Sequence, residues 1–202
     1  MSVFSSRTER RDLAAMHRLR ERIIEFFYRN AKRQGRHHDL LTVLVGLTFG
    51  CIVFLIVPLA LLTDRLLSLQ AWPPYPANRI ISIPLLAVGI WLWLWSVLTF
   101  FKFKGTPVPF SPPPKLIDTG PYAYSRNPML SGIFIVFYGI GFLFQSLSLI
   151  AFYTPLFIGF AFLEFKMIEE PELVKRIGAP YVEYRKKVPM FFPRPGRHRR
   201  HT

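Results

Sequence analysis

The sequence predicts an all-α integral membrane protein with four transmembrane helices, an N-terminal amphipathic helix and a C-terminal helical hairpin. Two observations favour this fold class. Hydrophobic residues make up 51% of the 202 residues, which is high for a soluble domain of this length. The cations are also unevenly placed, because residues 1–39 and 164–202 hold ten Lys and Arg each and only six lie between them.

The net charge of +14 first suggests a nucleic-acid-binding protein. The distribution of the charge argues against that class, since the cations border the apolar segments instead of forming one continuous patch. A basic rim around apolar spans is typical of a protein that faces anionic lipid headgroups. We therefore expect membrane lipids as partners, and no nucleic acid.

Residues 8–33 are predicted to form the amphipathic helix. Apolar residues recur there at three- and four-residue steps between arginines, namely Leu13, Met16, Leu19, Ile23, Phe26 and Phe27. Such a helix usually lies in the headgroup plane of a membrane. It could instead bind a partner or a second copy of the chain, and the sequence leaves both arrangements open.

The first two spans are predicted over residues 40–63 and 80–101. The first is a run of 24 residues without a charged side chain, and about 20 apolar residues suffice to cross a bilayer. The connection between them is stiffened by Pro73, Pro74 and Pro76 and carries aromatic residues suited to the membrane interface.

The last two spans come from residues 127–163, which contain no charged side chain over 37 positions. A single helix of that length would measure about 55 Å, far more than the roughly 30 Å hydrocarbon core. The segment must therefore turn, and the polar break at residues 145–148 is the place for it. This predicts a helical hairpin of residues 129–144 and 149–165.

The positive charges of the loops predict the orientation of the chain in the membrane. Loop 102–128 carries four cations, loop 64–79 carries two, and the hairpin turn carries none. The positive-inside rule then places both termini and loop 102–128 in the cytoplasm. The short chain and the lack of a eukaryotic retrieval signal favour a bacterial inner membrane. The predicted divisions are a basic amphipathic segment (1–39), two spans (40–101), a core of loop, hairpin and C-terminal segment (102–193) and a basic tail (194–202).

Loop 102–128 is the first candidate for a functional site. It is rich in residues that fix the path of a chain, namely Gly105, Pro107, Pro109, Pro112, Pro113 and Pro114, followed by Gly120-Pro121-Tyr122. Arg126 and Asn127 then stand at the predicted N-terminus of the third span, where free N–H groups attract anions. The alternatives are a stiff connector, an Arg126 that reaches lipid phosphate, and an Asn127 that caps the helix.

The second candidate is the acidic run Glu169-Glu170-Pro171-Glu172, just beyond the predicted fourth span. Carboxylates beside a cation-rich membrane face need cationic partners or a ligand. They could form salt bridges with Lys166, Lys175 and Arg176. They could instead hold the ammonium or the ribose hydroxyls of a cofactor. No metal site is predicted.

The order of these motifs resembles a known family. Gly-Pro-Tyr at 120–122, Arg-Asn-Pro at 126–128, a charge-free hairpin, Glu-Glu-x-x-Leu at 169–173, Gly-x-x-Tyr-x-x-Tyr at 178–184 and Val-Pro at 188–189 follow one another. This series is similar to the isoprenylcysteine carboxyl methyltransferase-like family and its phospholipid N-methyltransferase relatives. The resemblance covers about residues 103–193.

The resemblance implies transfer of a methyl group from S-adenosylmethionine to a membrane-embedded acceptor, such as an isoprenylcysteine carboxylate, a phospholipid amine or a hydrophobic thiol. The cofactor would be bound by Lys115, Leu116, Ile117, Tyr122, Asn127, Pro128, Met129, Leu130, Glu169 and Glu170. We expect Arg126 to act in catalysis by orienting an anionic group of cofactor or substrate.

This chain departs from the family's commonest pattern at four positions. Asn127 and Leu130 stand where His and Tyr are usual. Phe165 stands where the eukaryotic prenylcysteine enzymes carry Arg, and Met190 stands where many bacterial relatives carry Arg. An amide cannot act as a base near neutral pH, so no proton transfer is expected at Asn127. Two other classes remain open: an NADPH-dependent membrane reductase, and a non-enzymatic membrane protein that binds lipid or a partner.

Overall fold

The computed structural model describes residues 2–31, 36–103 and 115–193, and these form helices with no strand among them. The helices are α1 (Ser2–Ala31), α2 (Arg36–Leu66), α3 (Ala77–Lys102), α4 (Pro128–Leu143), α5 (Leu149–Ile177) and α6 (Ala179–Lys187), with a 3₁₀ turn at Gly120–Ala123. The predicted all-α class is confirmed. The glycine and prolines at positions 105–114 and the tail 194–202 lie outside the described residues.

A helix lies at each of the four predicted span positions. Two of them, α3 and α5, are long and apolar enough to cross a bilayer by length and composition, and α4 is a shorter apolar helix of 16 residues. These features are those of a membrane protein. The count of four crossings stays a prediction.

Helix α3 shows which environment its surface suits. Its buried residues are small or polar, namely Asn78, Ser82, Gly89, Ser96 and Thr99. Large apolar side chains point outward instead, with Ile80 69% and Trp91 58% exposed. The buried hydroxyls are satisfied within the helix, since Ser96 Oγ donates to the carbonyl of Leu92 at 2.6 Å. This pattern is the reverse of a helix on a water-soluble protein and is typical of a helix surrounded by lipid.

Helices α3 and α4 approach each other backbone to backbone. A Cβ atom added to Gly132 would lie 2.8 Å from the amide nitrogen of Trp93 and 2.9 Å from the carbonyl oxygen of Gly89. Small residues at a crossing permit this closeness, which strengthens van der Waals packing where no hydrophobic effect acts between helices. The α3–α4 contact is the most extensive between elements in the described part of the chain.

The hairpin between α4 and α5 is anchored to the end of α2. Asp64 Oδ1 accepts a hydrogen bond from the backbone N–H of Ser148 at 2.9 Å, and the same carboxylate contacts the hydroxyl of Ser146. Gln145 Nε2 donates to the carbonyl of Pro73 at 2.7 Å. The predicted turn at residues 145–148 is therefore confirmed, and it is fixed by groups more than 70 residues earlier in the chain.

We expect Asp64→Ala to destabilise the protein by about 1–3 kcal/mol, because it leaves the polar groups of Ser146 and Ser148 without their acceptor. Thermal unfolding of the detergent-solubilised protein measures the loss. Arg65→Ala, which removes an exposed neighbouring side chain, is the control. Equal melting temperatures for the two variants would contradict the anchoring role of Asp64.

The predicted bounds of the fourth span, 149–165, are too short for the helix that the structure shows. Helix α5 continues to Ile177 and contains two π-helical turns, Leu149–Tyr153 and Phe165–Glu169. Pro171 follows directly after the second wide turn, in the first turn of the α-helical segment Glu170–Ile177, where a missing N–H is tolerated. The acidic run is thus part of α5 and does not follow it.

Helix α1 packs on the last turns of α5. A regular α-helix would use the N–H of residue 171 to bond the carbonyl of Met167, but residue 171 is proline. Arg20 Nε of α1 donates to that carbonyl instead, at 3.0 Å. Glu25 forms a salt bridge with Lys175, whose ammonium also lies 4.7 Å from the ring centroid of Tyr28. The predicted amphipathic helix therefore has a partner within its own chain.

Candidate active site

A cavity of about 1180 Å³ is lined by residues of α2 to α6 and of the segment before α4. One end, called here the acidic end, carries the carboxylates of Glu164, Glu169 and Glu172, together with Lys115, Arg126, Asn127 and Arg176. The remainder is apolar and aromatic, with linings that include Phe54, Val57, Trp93, Phe144 and Phe157. The cavity thus joins an acidic end to a long apolar groove.

The residues singled out from the sequence lie largely around this one cavity. Its walls include Lys115, Leu116, Ile117, Tyr122, Arg126, Asn127, Met129, Leu130 and Glu169. Pro128 is buried at the first position of α4. Glu170 points into a second, smaller cleft on another side of α5. The structure therefore brings Arg126 and eight of the ten expected cofactor residues together, and leaves out Pro128 and Glu170.

The Gly-Pro-Tyr motif forms a 3₁₀ turn that lies against α3. Gly120 has φ +60°, a conformation that L side chains rarely adopt, so glycine suits this position. The ring of Tyr122 is buried and meets that of Phe100 edge to face at a centroid distance of 5.2 Å. Both rings line the cavity, so this contact joins the Gly-Pro-Tyr turn to α3 in the cavity wall.

Tyr184 of α6 forms a hydrogen bond with the Gly-Pro-Tyr motif. Its hydroxyl donates to the carbonyl of Tyr122 at 2.6 Å. Burial raises the pKa of Tyr122 and of Tyr184 above the usual range, and it raises the pKa of Tyr181 to about 12, although Arg126 acts in the opposite direction. The three phenols are therefore neutral at physiological pH, and Tyr184 keeps the proton that it donates.

The C-terminal segment after α6 runs beside the start of α4. The N–H groups of Arg126 and Asn127 donate to the carbonyls of Pro189 and Met190, each at 2.9 Å. Ser131 Oγ donates to the carbonyl of Phe191 at 2.7 Å. Motifs some 60 residues apart are thereby joined through the main chain, which explains how they can shape one site.

Asn127 caps α4. Its Oδ1 accepts a hydrogen bond from the backbone N–H of Leu130 at 3.2 Å, and Pro128 follows at the first helical position. The capping alternative stated for Asn127 is therefore confirmed. Because Asn127 also lines the cavity, capping holds its amide at the acidic end.

Arg126 is held by groups from α5 and α6. Its guanidinium forms a salt bridge with Glu170 and lies 5.9 Å from the ring centroid of Phe165. Arg185 Nη1 approaches the other oxygen of Glu170 at 3.7 Å. Burial lowers the pKa of the Arg126 guanidinium from its usual value. Arg126 lies in the wall between the cavity and the smaller cleft, since it lines both.

The second π-helical turn shapes the acidic end. It widens the helix by one residue per turn, so Glu164 and Glu169, five residues apart, lie along the same cavity wall. Glu172 also lines the cavity and pairs with Arg176, Oε1 to Nε, at 2.8 Å. Sequence reasoning missed Glu164, because a five-residue step on a regular α-helix turns the side chain about 140° away.

An acidic end joined to an apolar groove is the arrangement expected of a protein that holds a polar and an apolar molecule together. The family model for phospholipid methyltransferase matches residues 77–179, which is 103 of the 202 residues. The chain therefore belongs to the phospholipid methyltransferase family, and the resemblance found in its motifs is confirmed. Searches of curated proteins and of solved structures found no match.

The matched region begins with α3 and ends at the first residue of α6. It therefore includes α3, in which no motif was recognised from the sequence. It contains the 3₁₀ turn, the hairpin and the acidic run of α5. Because the family is one of methyltransferases, the match supports an enzymatic function.

Proposed function

We propose that this protein transfers a methyl group from S-adenosylmethionine to a lipid or similarly hydrophobic acceptor held in a membrane. The observation that carries the proposal is the single cavity in which the acidic end and the apolar groove are continuous. Its lining extends from Asn127 to Phe144, a stretch of α4 about 25 Å long at 1.5 Å per residue. That length suits a hydrocarbon chain, while the carboxylates and cations of the acidic end suit a cofactor that carries both an ammonium and a carboxylate.

The acidic end fits S-adenosylmethionine by the chemistry of its side chains. The carboxylates of Glu164 and Glu169 can accept hydrogen bonds from an ammonium or from ribose hydroxyls, and both face the cavity. Lys115 and Asn127 line the same cavity and can supply donors. When bound, the cofactor supplies an electrophilic methyl group on its sulfonium.

The protein's own part is to bind and orient the cofactor and the acceptor, and to exclude water from them. Positioning of the methyl donor and the acceptor supplies most of the rate enhancement when the protein itself forms no covalent bond to the substrate. We propose that Arg126, held by Glu170, orients an anionic group at the cavity wall. Asn127 provides no base. A carboxylate or thiolate acceptor needs none at neutral pH, whereas a phospholipid amine must first lose a proton.

We further propose that α2, α3, α4 and α5 are the four crossings, with both termini in the cytoplasm. Loop 102–128 and the residues after α5 then lie on the same side. The acidic end of the cavity would meet water-soluble cofactor there, and the apolar groove would open toward lipid.

Ligand binding to the full-length protein in nanodiscs tests the function. We expect saturable binding of S-adenosylmethionine and S-adenosylhomocysteine, and none of NADPH. Binding of NADPH alone would move the protein to the reductases. Binding of none of the three would contradict the proposal and favour a non-enzymatic lipid- or partner-binding role.

A further inference from the structure

A second concavity of about 320 Å³ lies between α5, α6 and the segment that follows α6. We call it the basic cleft, because five of its lining residues are cations: Arg126, Lys166, Arg185, Lys186 and Lys187. Its remaining walls are Glu170 and four apolar residues. The cleft is therefore small, strongly cationic and only partly apolar.

The charges in the basic cleft do not cancel. Glu170 is the single carboxylate among the described residues that line it, and that group is already in contact with Arg126 and near Arg185. Five cations and one carboxylate leave a net charge of +4 among these lining residues, and +3 when Glu183, which pairs with Lys186 from outside the cleft, is included. Concentrated like charges in a concave surface favour an anion.

The position of the cleft indicates which kind of anion could bind there. Phe162 and Lys166 line it from α5, and the Lys166 ammonium lies 5.5 Å from the centroid of the Phe162 ring. The neighbouring Leu163 is half exposed on the apolar part of α5. A lysine just past an apolar stretch lies at headgroup depth, where phosphate groups of lipids are found.

The basic cleft is distinct from the cavity that we propose for methyl transfer. Within the described part of the chain, the two share Arg126 alone among their lining residues. The carboxylates Glu164, Glu169 and Glu172 face the large cavity, whereas Lys166 and Glu170 face the cleft. A group bound in the cleft would therefore be separated from the reacting groups by the side chain of Arg126.

We propose that the basic cleft binds the phosphate group of an anionic membrane lipid that is not the methyl acceptor. Lys166 and Lys187 contribute compact charges, and Arg185 contributes a planar guanidinium that can bond two phosphate oxygens. Arg126, already engaged with Glu170, forms the floor of the site. This inference does not depend on the proposed reaction.

The test uses the full-length protein in detergent, titrated with dioctanoyl phosphatidylglycerol or with inorganic phosphate. The variant is K166Q/R185Q/K187Q. The matched control is R65Q/R79Q/K102Q, which removes three other cations at helix ends outside the cleft. Binding is read by native mass spectrometry and by the rise in melting temperature with ligand, so no methyl transfer is required.

We expect saturable binding of phosphatidylglycerol, weakened at least about tenfold in the cleft variant and unchanged in the control. Inorganic phosphate that binds as tightly as the lipid would reassign the site to soluble phosphates. Equal lipid affinity in the two triple variants would overturn the proposal. If the cleft variant fails to fold, K166Q alone serves, with a smaller loss of affinity expected in the same direction.

Discussion

Replacing Glu169 with glutamine is expected to lower the affinity for S-adenosylmethionine roughly a hundredfold, equivalent to about 3 kcal/mol. The carboxylate lies at the acidic end of the large cavity, on the wall that the second π-helical turn creates. Glutamine keeps the shape but cannot form a carboxylate opposite a cationic ligand. It therefore weakens charge-assisted hydrogen bonds from an ammonium or from hydroxyls.

Isothermal titration of the nanodisc-reconstituted protein measures this affinity. Glu183→Gln is the matched control, since Glu183 is an exposed glutamate of α6 that pairs with Lys186 and does not line the cavity. We expect the control to bind like the original chain. Unchanged affinity in Glu169→Gln would remove Glu169 from the cofactor site while leaving the family membership intact.

Replacing Gly132 with valine is expected to destabilise the protein by about 3 kcal/mol or more. The new Cβ atom would come within 3 Å of backbone atoms of Gly89 and Trp93, which cannot rotate away as a side chain could. Helices α3 and α4 would have to separate. The Gly-Pro-Tyr turn lies against α3, and α4 is the first helix of the hairpin, so the separation would displace both.

Thermal unfolding in detergent, together with the yield of folded protein, measures this effect. Gly159→Val is the matched control, because a Cβ atom at Gly159 of α5 would meet nothing within 4 Å. We expect the control to lose little stability. A similar loss in both variants would show that β-branching in a helix is responsible, and not the α3–α4 crossing.

The positions of the helices were predictable because lipid imposes a simple rule on the sequence. Charge-free runs long enough to cross a bilayer gave the four span positions, and the structure has a helix at each. The need for a turn followed from the length of the run, and the polar break at residues 145–148 gave its place. The continuation of α5 was not predictable, since a proline after the run Glu169-Glu170 usually indicates a helix boundary.

The candidate site was predictable only in part. The family resemblance indicated residues that now line one cavity, but it treated Glu169 and Glu170 alike. Neighbouring residues on a helix point about 100° apart, so the two carboxylates face different cavities. The salt bridge between Arg126 and Glu170 joins residues 44 positions apart, and no local pattern reveals such a pair.

The way in which the C-terminal segment is attached has a consequence for sequence variation. Its carbonyl groups at Pro189, Met190 and Phe191 accept the hydrogen bonds from Arg126, Asn127 and Ser131. Every amino acid offers a carbonyl, so a change of side chain at position 190 leaves the attachment in place. An insertion or deletion between Tyr184 and Pro189 would instead shift each acceptor away from its donor. In this segment, spacing is constrained more tightly than residue type.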